Sequence, residues 1–476
     1  MDELKDMSAI EIGKAVNNKQ ISPTEVLQYF EKRIEEENPK LNAIVYTKFD
    51  EAYERAKELE KELEKGEHKH LPLAGVPFAL KDFLPSKKGW TNTHGGVKSL
   101  QAVDSESSEF CKAMESLGGI AIGKTNAPSF GFSGLTDNKM YGATRNPFNT
   151  KYNSGGSSGG SASAVGGKLL PVAEGGDGGG SIRVPSAWCN CVGYKPSVGR
   201  VPSVCRPDAW TATHPYCFNG CITRSVKDSA LIFDKMFRYN PRDPLSVPIT
   251  GRSLNYVVGY PIDDTNNLKG IVIGYTYDWN CFKEVDSEIV NAIENAIKKF
   301  ESLGAKVIPV SPKIKTPLKE LSELWCRSIS IDTAYDLECW KKDGLNLYEK
   351  KDELPEEFLD WQEIAINSTV SDYKRFNEIR TELLDMHEDL FETVDFIISP
   401  VTVINPVENG KEKGTTRINS TSQLEFAETF FQNFTGHPAC SLPCGFTKEG
   451  LPIGIQVVGK KFRDSDMFYL MSRFYN

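Results

Sequence analysis

The sequence lacks the features that mark membrane, secreted and zinc-dependent proteins. Its 476 residues contain no run approaching the ~20 apolar residues that span a bilayer. The first six residues are acidic on balance and lack the apolar core of a secretory signal peptide. The 11 cysteines are an odd number and, with the 6 histidines, form no zinc-binding spacing. We therefore expect a cytoplasmic protein with reduced thiols, no metal and no membrane partner.

Basic residues are also fewer than acidic ones: the sequence has 56 Lys and Arg and 65 Asp and Glu, which gives a net charge of −9. That balance argues against a broad nucleic-acid-binding surface. Apolar residues make up 39% of the chain and charged residues 25%, which is enough apolar material for a large hydrophobic core. The length suits either several ordinary domains or one large α/β domain.

The order of the predicted elements favours one large domain. The N-terminal segment, residues 1–66, is predicted to be helical. A capping box begins at Ser8, and a second helix start has Ser22 at the cap and Pro23 at the first helical position. After this segment, short apolar strands alternate with helices, as they do in βαβ units around a sheet. A mostly helical stretch at about residues 312–430 interrupts the alternation before strands return. We therefore predict a single α/β domain over residues 1–476.

Two apparent motifs fail on their structural context. Residues 118–125 match the phosphate-binding pattern GxxxxGK[ST], but a helix precedes the first glycine and an Ile-Ala-Ile strand replaces the loop. Residues 155–159 match the nucleophile-elbow pattern GxSxG, which requires an apolar strand before the serine. The preceding residues 149–154 are polar and offer no such strand. We reject both a nucleotide-binding loop and a Ser-His-Asp hydrolase elbow.

Glycine and serine are concentrated in residues 154–186, SGGSSGGSASAVGGKLLPVAEGGDGGGSIRVPS. The glycines alternate with apolar segments, which is unlike a flexible linker. Glycine lets a backbone approach a ligand closely, and clustered N–H groups can bind an oxyanion. Ser181, at the end of the last glycine run, is therefore a candidate nucleophile. The alternative is a purely structural glycine turn.

Two stretches of this run resemble the signature of the amidase signature family: residues 155–162, GGSSGGSA, and residues 177–185, DGGGSIRVP. Further stretches match in the family's order, at residues 75–82, 123–126, 141–147, 192–196, 436–439 and 450–456. The resemblance is strong over residues 71–225 and from residue 430 onward. It is weak over about residues 310–430. It implies an α/β fold with a large mixed central β-sheet flanked by helices. The weak stretch, about residues 312–430, is then a variable insertion on the substrate side.

The family uses a Ser–cis-Ser–Lys triad. Carried over by motif position, the resemblance makes Ser181 the nucleophile, Ser157 the bridging serine and Lys81 the base. It also implies a cis peptide bond between Gly156 and Ser157. Lysine has an ordinary pKa near 10.4, so it must lose its proton to act as a base. Burial behind the apolar strand that ends at Lys81 would lower that pKa.

The resemblance also implies a set of supporting residues and no cofactor or metal. The developing oxyanion would be bound by backbone N–H groups, while neighbouring side chains brace the loop. The expected donors are Gly178, Gly179, Gly180 and Ser181, with Ser158 as a hydroxyl of the substrate-binding region and Asp177 and Arg183 as braces. The expected partner is a small-molecule amide substrate, with homodimerisation left open.

The predicted function is hydrolysis of a carboxylic amide through a Ser181 acyl-enzyme. Three alternatives stay open: the A subunit of a glutamyl-tRNA amidotransferase, a carbamate or cyclic-amide hydrolase of the same family, and a non-catalytic binding protein. Typical A subunits carry Gln after the Arg of the Ser-Ile-Arg motif, where this chain has Val184. Residues 177–183 are similar to the form found in hydrolases of aminohexanoate cyclic dimers.

One departure from the commonest family pattern bears on the substrate pocket. Gly178 stands where many members carry Thr or Ile, and we expect this to widen the space beside the oxyanion hole. Aromatic side chains elsewhere are candidates for an apolar acyl pocket. They are Trp188, Trp210, Tyr216, Phe218, Trp325, Phe430 and Phe431.

Overall fold

A computed structural model of the protein describes residues 3–66, 71–83, 86–211, 213, 215–249, 251–259, 267–282, 284–411 and 427–475. The helices are α1 (Ala9–Asn17), α2 (Pro23–Leu41), α3 (Phe49–Glu64), α4 (Glu109–Ser116), α5 (Gly159–Gly166), α6 (Arg183–Trp188), α7 (Val226–Met236), α8 (Leu254–Val258), α9 (Ser287–Ser302), α10 (Leu318–Ile329), α11 (Ile331–Lys342), α12 (Glu356–Ile366), α13 (Val370–Phe391), α14 (Phe431–Thr435) and α15 (Asp464–Phe474). The strands are β1 (Ile44–Thr47), β2 (Pro77–Lys81), β3 (Thr91–Asn92), β4 (Ala102–Val103), β5 (Ile120–Thr125), β6 (Val172–Asp177), β7 (Val192–Lys195), β8 (Phe218–Thr223), β9 (Val272–Tyr275), β10 (Lys306–Pro309), β11 (Phe396–Pro400), β12 (Ala439–Phe446) and β13 (Pro452–Gly459).

Within the described residues, eleven strands form one mixed sheet in the order β1-β5-β2-β6-β8-β7-β12-β13-β11-β9-β10. Strand β2 runs parallel to both β5 and β6, and β9 runs parallel to β10 and β11. The strands between these two groups, from β6 through β8, β7, β12 and β13 to β11, pair antiparallel. Helices pack against this sheet, so the predicted α/β fold with a large mixed central sheet is confirmed.

The N-terminal segment contains the predicted helices and one strand that the sequence did not indicate. Both predicted helix starts are present, and each has a capping box, in which the hydroxyl of Ser8 or Ser22 and a glutamate three residues later close the first helical turn. Between α2 and α3, residues 44–47 pair antiparallel with β5 and form an edge of the sheet. The strand has only four residues, so its existence depends on pairing with a distant segment and not on local sequence pattern.

The topology brings the glycine-rich loops together at one edge of the sheet. Because β2 and β6 are parallel neighbours, their carboxyl ends meet at the same edge. Strand β2 ends at Lys81, and β6 ends at Asp177 just before the glycine run. The helices α10 to α13 add a second hydrophobic core that includes Trp325 and Phe358. None of the described helices is both long and apolar enough to cross a membrane.

Candidate active site

Lys81 lies in a buried position at the end of β2. Its side chain is 3% exposed, and its Nζ donates a hydrogen bond of 2.7 Å to Ser157 Oγ. Its backbone N–H donates to Glu174 Oε2 at 3.1 Å, which fixes the end of the strand. The two residues that the family motif assigned to the base and the bridging serine are therefore in direct contact.

The surroundings of Lys81 favour its neutral form. Burial lowers the pKa of Lys81 to about 7, although the negative charges of Asp177 and Glu174 act in the opposite direction. Burial likewise raises the pKa of Glu174 to about 7. A lysine with this pKa is partly neutral near neutral pH and can accept a proton from the hydroxyl it contacts.

Ser157 is held in a buried turn before α5. The Gly156–Ser157 peptide bond is cis, as predicted. Gly131, which has φ = +67°, lies against the serine, and a Cβ added there would sit 3.2 Å from Ser157 Oγ. Sequence reasoning missed Gly131, because a glycine between two phenylalanines outside every matched motif carries no functional signal.

Ser181 follows the glycine run and is partly exposed. Its carbonyl accepts a hydrogen bond of 3.1 Å from the N–H of Ser158, so its backbone lies beside the turn that carries Ser157. Among the described residues, no hydrogen bond joins the hydroxyl of Ser157 to that of Ser181. Hydrogen bonds of this kind are often loose in unliganded enzymes and tighten when substrate binds.

An ion pair braces the loop between β6 and α6. Arg183 is fully buried, and its guanidinium binds the Asp177 carboxylate through two hydrogen bonds, of 2.8 and 3.0 Å. Burial alone would raise the pKa of Asp177, but the charge and hydrogen bonds of Arg183 lower it to about 2. Asn433 also binds both side chains. The predicted bracing contacts of Asp177 and Arg183 are present.

The expected oxyanion donors do not all have free N–H groups. Gly180 donates its N–H to Asp177 Oδ1 at 2.8 Å, so this group is not free to bind an oxyanion. By contrast, the N–H groups of Gly178, Gly179 and Ser181 donate to no acceptor within the described part of the chain. The hydroxyl of Ser158 hydrogen-bonds to both the N–H and the carbonyl of Gly176, which ties it to the end of β6.

The space beside Gly178 is not widened, contrary to the expectation from the sequence. A Cβ added at Gly178 would lie 3.0 Å from Ile329 Cδ1 and 3.3 Å from Cys217 Sγ. Side chains from other elements therefore fill the position that Thr or Ile takes in many members of the family. Of the aromatic candidates, Trp325 lies against this loop, whereas Trp210 is exposed.

His437 is not placed to serve as the base. Its Nδ1 lies 2.8 Å from Thr435 Oγ1, and its ring stacks on that of His387 with centroids 4.8 Å apart. Burial lowers the pKa of His437 to about 4. Its contacts are with the packed helices α13 and α14. No group of three or more His, Cys, Asp or Glu side chains within the described ranges could hold a metal ion.

We expect Arg183→Met to destabilise the fold strongly. Methionine resembles the unbranched aliphatic stem of arginine but has no guanidinium group. The substitution therefore leaves the buried Asp177 carboxylate without its charge partner. Breaking a buried ion pair in this way costs about 3–5 kcal/mol of the free energy of unfolding. Chemical denaturation measures the loss, with Arg375→Met as the control, because the ion pairs of Arg375 with Glu320 and Glu378 are exposed to solvent. Equal stability of the two variants would contradict the bracing role.

Solved structures resemble the whole chain, and two hydrolases are among them. The structure of a bacterial aryl acylamidase belonging to the amidase signature enzymes is 36% identical in sequence, with a TM-score of 0.92, and the match covers 98% of this chain and 95% of that one. A 6-aminohexanoate cyclic dimer hydrolase complexed with substrate is 26% identical, with a TM-score of 0.86 and coverage of 99% and 97%.

Sequence relatives and a family model agree with the structural likeness. An acylamidase of Rhodococcus erythropolis is 30% identical over 463 residues, which are 96% of this chain and 93% of that protein. The A subunit of the glutamyl-tRNA(Gln) amidotransferase of Thermodesulfovibrio yellowstonii is 31% identical over 488 residues, with coverage of 98% and 96%. The family model described as Amidase matches residues 25–468. The chain therefore belongs to the amidase signature family and is an amidase, a hydrolase of amide C–N bonds.

Proposed function

We propose that the protein hydrolyses acylamides through a covalent Ser181 acyl-enzyme, with Ser157 as the proton bridge and Lys81 as the base. The observation that carries this proposal is the 2.7 Å hydrogen bond from Lys81 Nζ to Ser157 Oγ in a buried site. The lowered pKa of Lys81, about 7, supports it, because the neutral amine is the form that accepts a proton. A serine hydroxyl needs such a base to become a nucleophile.

In the proposed acylation, Lys81 takes the proton of Ser157, which in turn takes the proton of Ser181. A rotation of the Ser181 side chain or a bridging water completes this relay. The Ser181 oxygen attacks the carbonyl carbon, and the resulting oxyanion accepts hydrogen bonds from free N–H groups of the glycine loop. The proton then returns through Ser157 to the leaving nitrogen, and the C–N bond breaks. In deacylation, water attacks the ester by the same relay and releases the carboxylate.

The surroundings of the loop favour an amide with an apolar or aromatic group. Trp325 and Ile329 lie against the glycines beside Ser181, and Phe132 stacks on Trp325 with centroids 6.3 Å apart. Apolar walls with few polar groups are typical of sites for small hydrophobic ligands. The likeness to acylamidases, one of them an aryl acylamidase, points to the same class.

A substrate panel tests this assignment. We expect kcat/KM for anilides of short acids to exceed that for the primary amides of the same acids by about tenfold or more, since burying an aryl ring in an apolar pocket contributes roughly 1.5–3 kcal/mol. The panel includes a cyclic amide, a carbamate and glutamine. Selective hydrolysis of the cyclic amide or the carbamate would reassign the substrate class within the family.

The second candidate function is the A subunit of an amidotransferase. Its support is the 31% identity to such a protein over almost the whole chain. Val184, which is buried directly after Arg183, departs from the Gln that typical A subunits carry there. Preferential release of ammonia from glutamine, together with co-purification of a partner protein, would establish this function in place of acylamide hydrolysis.

Other features remain predictions: location in the cytoplasm, independence from cofactors and the organisation of residues 1–476 as one domain. Light scattering of the purified protein measures its molar mass in solution and so shows whether it forms a homodimer.

A further inference from the structure

A tryptophan of the variable helical region holds the glycine loop beside Ser181. Trp325, in α10, is 5% exposed, and its Nε1–H donates a hydrogen bond of 3.1 Å to the carbonyl of Gly178. The ring also covers the next residue, since a Cβ added at Gly179 would lie 2.5 Å from Trp325 Cζ2. The indole therefore touches two successive residues of the loop, through a polar contact and a steric one.

The hydrogen bond from Trp325 fixes the direction of a neighbouring N–H group. In a trans peptide the C=O and N–H point in opposite directions, and the Gly178–Gly179 bond is not among the cis peptides of the described chain. Holding the Gly178 carbonyl toward α10 therefore turns the Gly179 N–H away from α10. Glycine on both sides gives this peptide unusual freedom to rotate, so an external contact has to select its orientation.

The next peptide unit of the loop, Gly179–Gly180, is held by two different side chains. Thr429 Oγ1 donates to the Gly179 carbonyl at 2.6 Å, and Asp177 accepts the Gly180 N–H at 2.8 Å. Trp325 is thus the side chain that orients the Gly178–Gly179 unit. The Gly179 N–H donates to no acceptor among the described residues, which leaves it available to a substrate oxygen.

We propose that Trp325 is a positioning residue, which aims the Gly179 N–H at the oxyanion formed when Ser181 attacks the substrate. This inference rests on the proposed function, because it assumes that Ser181 is the nucleophile. Preorganised donors act mainly on the transition state, where negative charge develops on the oxygen. Loss of the Trp325 hydrogen bond should therefore lower kcat more than it raises KM.

The test compares Trp325→Phe with the wild type on one anilide. Phenylalanine keeps an aromatic ring beside Gly179 but has no N–H to donate. We expect kcat to fall about tenfold with KM within about twofold, which is less than the 10²–10³-fold cost of deleting an oxyanion donor outright. Affinity for an aryl trifluoromethyl ketone, which forms a tetrahedral adduct with a serine, should fall by the same factor as kcat/KM.

Two further variants separate positioning from folding. Trp90→Phe is the matched control, because Trp90 is also buried and donates its indole N–H to Glu51, outside the loop. It should keep the wild-type kcat. Site-specific replacement of Trp325 by β-(3-benzothienyl)alanine, which has sulfur in place of the N–H in a ring of the same shape, should reproduce the fall in kcat without loss of thermal stability.

The outcomes distinguish this inference from the proposed function. Wild-type kcat in the benzothienyl variant, or a change in KM alone, would overturn the positioning role of Trp325. Ser181→Ala, measured in parallel on the same anilide, reports on the nucleophile. An inactive Ser181→Ala with an unimpaired Trp325→Phe would overturn only this inference, whereas an active Ser181→Ala would overturn the proposed mechanism itself.

Discussion

Replacement of Ser181 by alanine is expected to abolish amide hydrolysis while the fold survives. Removing the nucleophile removes the acyl-enzyme route, and in serine hydrolases such a loss lowers turnover by at least about 10⁴-fold. The contacts that hold the loop use its backbone and the side chains of Asp177, Trp325 and Thr429. The Ser181 carbonyl accepts a hydrogen bond from the N–H of Ser158. The Ser181 hydroxyl takes no part in these contacts, so its removal should leave the melting temperature nearly unchanged.

The measurement is kcat/KM on one anilide, with intact mass after treatment with a fluorophosphonate. The wild type should gain one phosphonyl adduct, and Ser181→Ala should gain none. Ser163→Ala is the matched control, because Ser163 is a buried serine of the same glycine-rich stretch whose hydroxyl binds the carbonyl of Arg145. It should keep both turnover and labelling. Normal turnover by a folded Ser181→Ala protein would refute the acyl-enzyme mechanism.

The residues of the candidate site could be assigned from the sequence because they lie in contiguous motifs that resemble the signature of the family. Lys81 ends β2, and Asp177 ends the parallel neighbour β6, so one topological rule brings their loops together. Ser157 and Arg183 belong to the same two glycine-rich motifs. The burial of Lys81 and Asp177 follows from the fully buried strands β2 and β6, whose last residues they are.

Features that depend on packing between distant segments could not be found in this way. The N–H of Gly180 faces the Asp177 carboxylate and not a ligand, which no motif position reveals. Ile329 and Trp325 fill the space beside Gly178 and Gly179, but both come from the stretch where the family resemblance is weak. The position of a side chain from a variable helix depends on how that helix docks, and helical periodicity shows only which face is apolar.

The Lys81→Met substitution is expected to remove activity together with the alkaline rise of the pH profile. In the wild type, kcat/KM should increase with pH through about 7, as Lys81 loses its proton, and stay level above. Methionine fills a similar volume but cannot accept a proton from Ser157, so both serines stay protonated. A histidine base would behave differently, because burial lowers the pKa of His437 to about 4 and its titration would be complete well below neutrality.

The Glu174→Gln variant shows whether the rise of kcat/KM with pH reflects Lys81 or Glu174. Both are candidates, because burial also raises the pKa of Glu174 to about 7. The negative charge of Glu174 raises the pKa of Lys81. If Lys81 is the base, removing that charge should shift the rise in kcat/KM to lower pH and preserve it. Disappearance of the rise in Glu174→Gln would instead assign the titration to the carboxyl group.

The pH dependence of the free energy of unfolding is a second measure of the Lys81 pKa, and it does not depend on turnover. Between about pH 7 and pH 10, Lys81 is neutral in the folded protein but protonated in the unfolded chain, whose lysine pKa is near 10.4. At Lys81 the unfolded state then binds more protons than the folded state, so the contribution of Lys81 to the free energy of unfolding should rise with pH across this window. Lys81→Met lacks this contribution, and its stability relative to the wild type should decline as pH rises. A difference that stays constant from about pH 7 to pH 10 would mean that Lys81 keeps its ordinary pKa, and a lysine that stays charged at neutral pH cannot be the base.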